Sequence, residues 1–279
     1  MRHETKTREA IRLEASLTLL VVTIVTLFFL GGCATSGVNK GDINVVSLEE
    51  EWQLGAKLAA DIEKQMTIVH DRQVNAVVSE IGQRIVSQTE MAELPWNFHV
   101  VQDSRINAFN IPGGHVYVTT GLIGATTDVA QFAGVMAHEV AHGVARHGTE
   151  QLTRTYGLSI IANLLLGENP AVYEQILAQV VGSGTLARYS RKAEREADLH
   201  GLHYMYDAGY DPDGMARMFE MLLESRERRP SRVERLFATH PLTEERLEFV
   251  RSEADQLPPR SGLVAHDREY QQVHQRYRG

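Results

Sequence analysis

Two histidines with a glutamate between them stand in Ala137-His138-Glu139-Val140-Ala141-His142. Helix positions i and i+4 share a face, so the His138 and His142 imidazoles would reach a single metal ion with Glu139 beside it. Two neutral imidazoles hold Zn2+ and leave coordination positions open, and a neighbouring carboxylate can accept a proton from a metal-polarised water. The chemistry implied is metal-assisted hydrolysis. A zinc of this kind needs a third protein ligand, and a glutamate is a standard one. Some fifty residues on, Arg188-Tyr189-Ser190-Arg191-Lys192-Ala193-Glu194-Arg195-Glu196-Ala197-Asp198 carries Glu194 and Asp198 on one helical face. Glu194 is the expected ligand. Asp198, one turn on, is placed to accept the outer N–H of a ligating histidine and fix its tautomer. Glu196 reads as a solvated residue, and His147, five positions past His142, falls on a different face and stays outside the ligand set.

The elements that must position these groups are legible from period and caps. Asp128 with Gln131 caps a helix whose Val129, Phe132, Ala133, Met136, Val140, Ala141 and Val144 recur at the spacing of a buried face. Upstream, Ser47 with Glu50 opens a helix over Trp52, Leu54, Leu58, Ile62 and Met66, and a second runs over Val74, Val77, Val78, Ile81 and Ile85. Around Trp96 the period changes to two, with Phe98, Val100, Val116 and Val118 alternating with polar residues as in half-buried strands. Between them Pro112-Gly113-Gly114 bends the chain. The strand after it, Gly114-His115-Val116-Tyr117, either closes a hairpin or offers a sheet edge along which an extended substrate pairs. Residues 150–186 hold two apolar patches, Leu158 to Leu166 and Val172 to Val181, which form a helical pair or a flap. Asp211-Pro212-Asp213 opens a helix striped by Met215, Met218, Phe219, Leu222 and Leu223. Pro241 disfavours helix at His240, and Thr243 with Glu244 and Glu245 starts one, leaving His240 on the loop between. Residues 253–279 read as a loose tail. The fold class expected is α+β, mostly helical with a small sheet.

With 279 residues, 43% of them hydrophobic, the chain can bury one sizeable core. A net charge of −8 and a pI near 5.8 leave no basic stripe for nucleic acid. The single cysteine, Cys33, rules out an internal disulfide and a multi-thiolate metal site. Residues 1–16 are polar with Arg2, Lys6, Arg8 and Arg12, and Leu17 to Leu30 is apolar apart from threonines, a signal-peptide profile too short to span a bilayer comfortably. Leu30-Gly31-Gly32-Cys33 resembles the bacterial lipoprotein box, which implies removal of residues 1–32, lipidation of Cys33 and a tether over 33–46. Ala34 after the cysteine, by resemblance to enterobacterial sorting rules, implies the outer membrane.

The ordered set of HEVAH, EREAD, NAFNIPGGHVYVTTGLI before them and THPLTEER after resembles the gluzincin metallopeptidase family of the CaaX prenyl-protein endopeptidase and HtpX, over about residues 47–252. The likeness is to its compact periplasmic lipoprotein branch, the YggG-type proteases, with no appended repeats and no additional membrane spans. The resemblance implies a zincin-like domain and one catalytic Zn2+ held by His138, His142 and Glu194. It implies Glu139 as the base and Asp198 as the outer partner of a ligand. It also places His240 and Arg246 near the metal: His240 either donates to the developing oxyanion or closes over the ion at rest, and Arg246 orients its loop. The expected substrates are unfolded or misassembled envelope proteins. The rival expectation is a lipoprotein chaperone or outer-membrane assembly factor with little hydrolysis, against which the intact Glu139 argues.

Overall fold

The computed structural model describes residues 46–183 and 188–278. The expected leader, Cys33 and the tether up to residue 45 lie outside the described residues. Helices α1 (Leu48–Glu63) and α2 (Arg72–Val86) lead in. The expected capping box is present, with Ser47 Oγ accepting from the Glu50 N–H and the Glu50 carboxylate accepting from the Ser47 N–H at 2.8 Å. Strands β1 (Asn97–Val101), β2 (Ala108–Ile111) and β3 (His115–Thr119) form a sheet in the order β1-β3-β2, with β1 parallel and β2 antiparallel to β3. Gly113 and Gly114, at φ 83° and 73°, make the tight turn between β2 and β3 in backbone conformations that side chains resist.

The sheet separates two cores. Val116 and Val118 join Phe98, Val100 and α2 on one face, while Tyr117 joins Phe109 and Ile111 on the other. This alternation is the period-two signal of the sequence. The second face is closed by Leu54, Leu58 and Ile62 of α1 and by α6 (Leu158–Leu165) and α7 (Pro170–Ser183). Residues 150–183 therefore form packed helices and not a flap.

After the short α3 (Thr120–Ala125) comes α4 (Val129–Val144), in which every residue but Gly143 is buried. Asp128 Oδ1 accepts from the Gln131 N–H at 2.8 Å, and Gln131 Oε1 accepts in return from the Thr127 N–H. Around α4 lie α5 (His147–Tyr156), α8 (Arg191–Asp207) and α9 (Asp213–Arg228), followed by α10 (Pro230–Thr239) and α11 (Glu244–Gln256). The approach of α8 is close enough that a Cβ on Gly201 would sit 3.0 Å from the backbone of Ala137 and His138. That contact draws the helix carrying Glu194 onto the one carrying His138 and His142.

Two expectations are corrected. The strand Gly114, His115, Val116 and Tyr117 is not an edge, because β3 is central and its backbone is bonded to β1 on one side and β2 on the other. A strand with two partners has no ladder groups left for a peptide. The outer strands are β1 and β2, and all four residues of β2 are buried. Nor are residues 253–279 a loose tail: α12 (Arg268–Tyr277) docks Tyr270 and Val273 at full burial, and Tyr270 bonds the Thr126 hydroxyl. The two apolar residues three positions apart supply the one-sided stripe that holds this helix down. No helix among the described residues is long and apolar enough to cross a membrane.

Candidate active site

His138 and His142 project from α4 as the i, i+4 spacing requires, with their Nε2 atoms 3.1 Å apart. Glu194 reaches them from the first turn of α8, where Ser190 Oγ accepts from the Ala193 N–H and the helix N-terminus favours a carboxylate. Its oxygens lie 3.6 Å from each Nε2. His240, on the turn after α10 as expected, places Nδ1 2.9 Å from Glu194 Oε1 and 3.3 Å from His138 Nε2. One donor atom from each of the four falls within 4.8 Å of all the others, and all four side chains are buried.

The outer partners come from both directions. Asp198 Oδ1 stands 3.0 Å from His138 Nδ1. Arg246, in the first turn of α11, forks onto Asp198 with two contacts of 2.7 Å, reaches Glu194 Oε2 at 2.6 Å and donates to the Pro241 carbonyl at 3.1 Å. Both acidic residues are thus tied to one guanidinium and, through it, to the loop carrying His240. Burial raises the Glu194 and Asp198 pKa values, but the positive charges and hydrogen bonds around them win and hold both below the carboxylate range. Burial likewise lowers His138, yet Asp198 and Glu194 more than offset it and hold its pKa at about 9. His142 goes the other way, pushed well below 6.5 by burial and then by His138.

These shifts test whether a metal fits. Two ionised buried carboxylates demand positive charge; Arg246 supplies one, and His138 adds another by taking up a proton. A divalent cation where the Nε2 atoms converge would supply that charge in exchange for the proton, the usual linkage of metal binding to ligand deprotonation. The donor set of imidazoles and carboxylate suits such an ion.

Glu139 lies beside the cluster, 1% exposed. Asn110 of β2 donates to the Glu139 carbonyl at 2.8 Å and to Oε2 at 3.3 Å, leaving Oε1 without a hydrogen bond and 3.5 Å from His240 Nε2. Glu139, His138 and His240 line a cavity of about 30 Å3. That is room for a water molecule and not for a peptide.

Sequence reasoning missed three contributors. His147 Nδ1 is 2.9 Å from His142 Nδ1, although i+5 on a continuous helix points elsewhere. The helix ends first: Arg146 adopts φ 59°, a left-handed conformation rare for a residue with a side chain, and the reversal swings His147 back. Glu196 Oε2 lies 3.7 Å from the far nitrogen of His147, beyond hydrogen-bond reach. Tyr189 stacks on the His142 ring at 4.1 Å, and Asn110 sat unmarked within the quoted motif. A second histidine pair, His99 and His115, stacks with Tyr117 on the sheet, outside the cluster.

Metal-dependent hydrolysis on a zincin-like fold is the class this arrangement defines. The model of Peptidase family M48 matches residues 72–254, and the chain belongs to that family, which makes it a metallopeptidase. It is 27% identical over 262 residues to the beta-barrel assembly-enhancing protease of Escherichia coli K12, covering 86% of this chain and 53% of that protein. To the mitochondrial metalloendopeptidase OMA1 of Schizosaccharomyces pombe it is 32% identical over 219 residues, covering 76% and 63%. A putative beta-barrel assembly-enhancing protease of Vibrio cholerae is 30% identical over 226 residues, covering 77% and 46%. The chain thus spans about half the length of the bacterial relatives it matches.

Proposed function

We propose that the protein is a zinc endopeptidase that cleaves unfolded or misassembled proteins of the bacterial cell envelope, where it is held by a lipid on Cys33. The observation carrying the catalytic part is the convergence of His138, His142 and Glu194 beside a buried Glu139 with one unpaired oxygen. Zinc held by those three residues would polarise the scissile carbonyl and make a neighbouring water acidic enough to attack. Glu139 Oε1 accepts the water's proton and returns it to the leaving amine, while Asn110 holds the other carboxylate oxygen in place. Asp198 fixes His138 through Nδ1, and His147 does the same for His142. His240 either donates to the developing oxyanion or closes the site at rest, with Arg246 holding its loop through the Pro241 carbonyl.

The envelope assignment and the substrates draw on the names of the bacterial relatives and on the lipoprotein box. The outer-membrane address rests on Ala34. The decisive experiment loads the mature protein with zinc and incubates it with unfolded outer-membrane protein, beside Glu139→Gln. Cleavage that disappears in the variant while its zinc content persists is the expected result. Equal cleavage by both removes Glu139 as base, and no cleavage by either, with folding of the client still assisted, favours an assembly factor.

A further inference from the structure

Outside His240 lies a cavity of about 580 Å3, within the range of ligand sites, walled by the start of α8, the ends of α9 and α10, and α11. Arg188, Arg191, Arg195 and Arg226 line it on a chain whose net charge is −8. Elsewhere arginines such as Arg105, Arg217, Arg251 and Arg276 pair with carboxylates. These four pair with none among the described residues. Arg195 instead lies over the Phe249 ring at 3.8 Å and Arg226 over Phe237 at 5.0 Å. An aromatic face fixes a guanidinium's plane without neutralising it, which leaves the fork's N–H groups for a planar anion. Two carboxylates also line the cavity: Glu194 is engaged with Arg246 and His240, and Glu245 is exposed. The excess is positive. This cavity shares Phe237, Leu242 and Arg246 with the small one at Glu139, so the two adjoin across those side chains.

We propose that this cavity is a substrate subsite that takes a peptide carboxylate, with Phe237 and Phe249 accommodating an apolar neighbour. The carboxylate comes from an acidic side chain or from the substrate's own C-terminus. The inference rests on the peptidase reading for its purpose and on the arginine cluster for its chemistry. The test measures binding of fluorescent unstructured decapeptides to zinc-loaded Glu139→Gln protein by anisotropy. Glu is walked through an otherwise neutral sequence, each peptide has a Gln counterpart, and each is made with a free or an amidated C-terminus. The expected preference is roughly five- to twenty-fold at one position or at the free C-terminus, shrinking as salt rises. It falls towards one when Arg195→Gln and Arg226→Gln are added. Adding Arg195→Glu and Arg226→Glu turns it in favour of a Lys peptide, a gain that misfolding cannot produce. No preference at any position, no binding at millimolar peptide, or a preference unaltered by the arginine variants overturns the proposal. Cleavage of the neutral peptide by wild-type protein is scored apart: its absence removes the peptidase reading, while the binding ratios still decide the subsite.

Discussion

Replacing Arg246 with alanine tests the electrostatic logic of the site at its least visible point. The guanidinium is 12% exposed and faces Asp198, 0% exposed, and Glu194, 2% exposed, at 2.6–2.7 Å. Its removal leaves two buried carboxylates balanced only by neighbouring imidazoles. Breaking a buried pair by deleting one partner costs about 3–5 kcal/mol, because the remaining charge is desolvated and uncompensated. For a domain of this size that lowers Tm by roughly 6–20 °C in the metal-free protein. Zinc binding supplies positive charge at the same spot, so the metal-loaded variant should recover part of the loss, and its Tm should rise more on zinc addition than that of wild type. Arg246→Lys keeps the charge without the fork and should fall between. Scanning calorimetry on chelated and zinc-loaded forms of all three proteins measures this. If metal-free Arg246→Ala unfolds within about 1 kcal/mol of wild type, the carboxylates are not ionised as described and the argument fails.

Glu194→Ala should lower zinc retained after dialysis, because a three-ligand site loses its one anionic donor; full occupancy by metal analysis would remove it from the ligand set. His240→Ala should cut kcat by roughly one to three orders of magnitude if the imidazole stabilises the oxyanion. If it is a lid, the same change should raise basal proteolysis, and unchanged turnover excludes both roles. Burial, aided by His115, lowers the His99 pKa to about 4 from 6.5. A histidine depressed in this way binds fewer protons folded than unfolded, so stability is flat above pH 6.5 and declines as pH falls towards 4, by about 3 kcal/mol in all. His99→Phe preserves stacking on Tyr117 and should flatten that decline in urea titrations at pH 7 and 4.5; matching slopes for the two proteins would count against it.

What the sequence carried was local. The His138–His142 spacing, the caps at Ser47 and Asp128 and the period change at Phe98 all act within one turn or one strand, and each appears in the structure where those rules place it. What it hid depends on chain reversals and pairing. Nothing local says that Arg146 turns left-handed, so His147 could not be placed against His142. Nothing in Gly114–Tyr117 says which strands flank it, and the crossover from β1 to β3 makes it central. In α12 Tyr270 and Val273 are few among many polar residues, so composition outweighed a stripe that only docking reveals. The charge cluster was partly legible: Asp198 was marked by its spacing from Glu194 and Arg246 by family pattern, but their bidentate contact joins residues 48 positions apart.

The geometry also constrains how a peptide could enter. Glu139 faces a cavity of about 30 Å3, while about 580 Å3 is open on the far side of the turn at His240, Pro241 and Leu242. The described conformation is therefore closed to an extended chain at the base itself. The turn is held by the Arg246 contact to the Pro241 carbonyl and by His240 on Glu194, both within the cluster. A metal held by Glu194 and His138 would take up the contacts they now make to His240, and a substrate carbonyl would need the same space. If His240 is a lid, opening would displace its imidazole and short turn while α4 and α8 stay in contact at Gly201. On that reading ligand geometry and substrate access would be governed by different elements, the first by a crossing of buried helices and the second by a turn held by Arg246 and by His240 on Glu194.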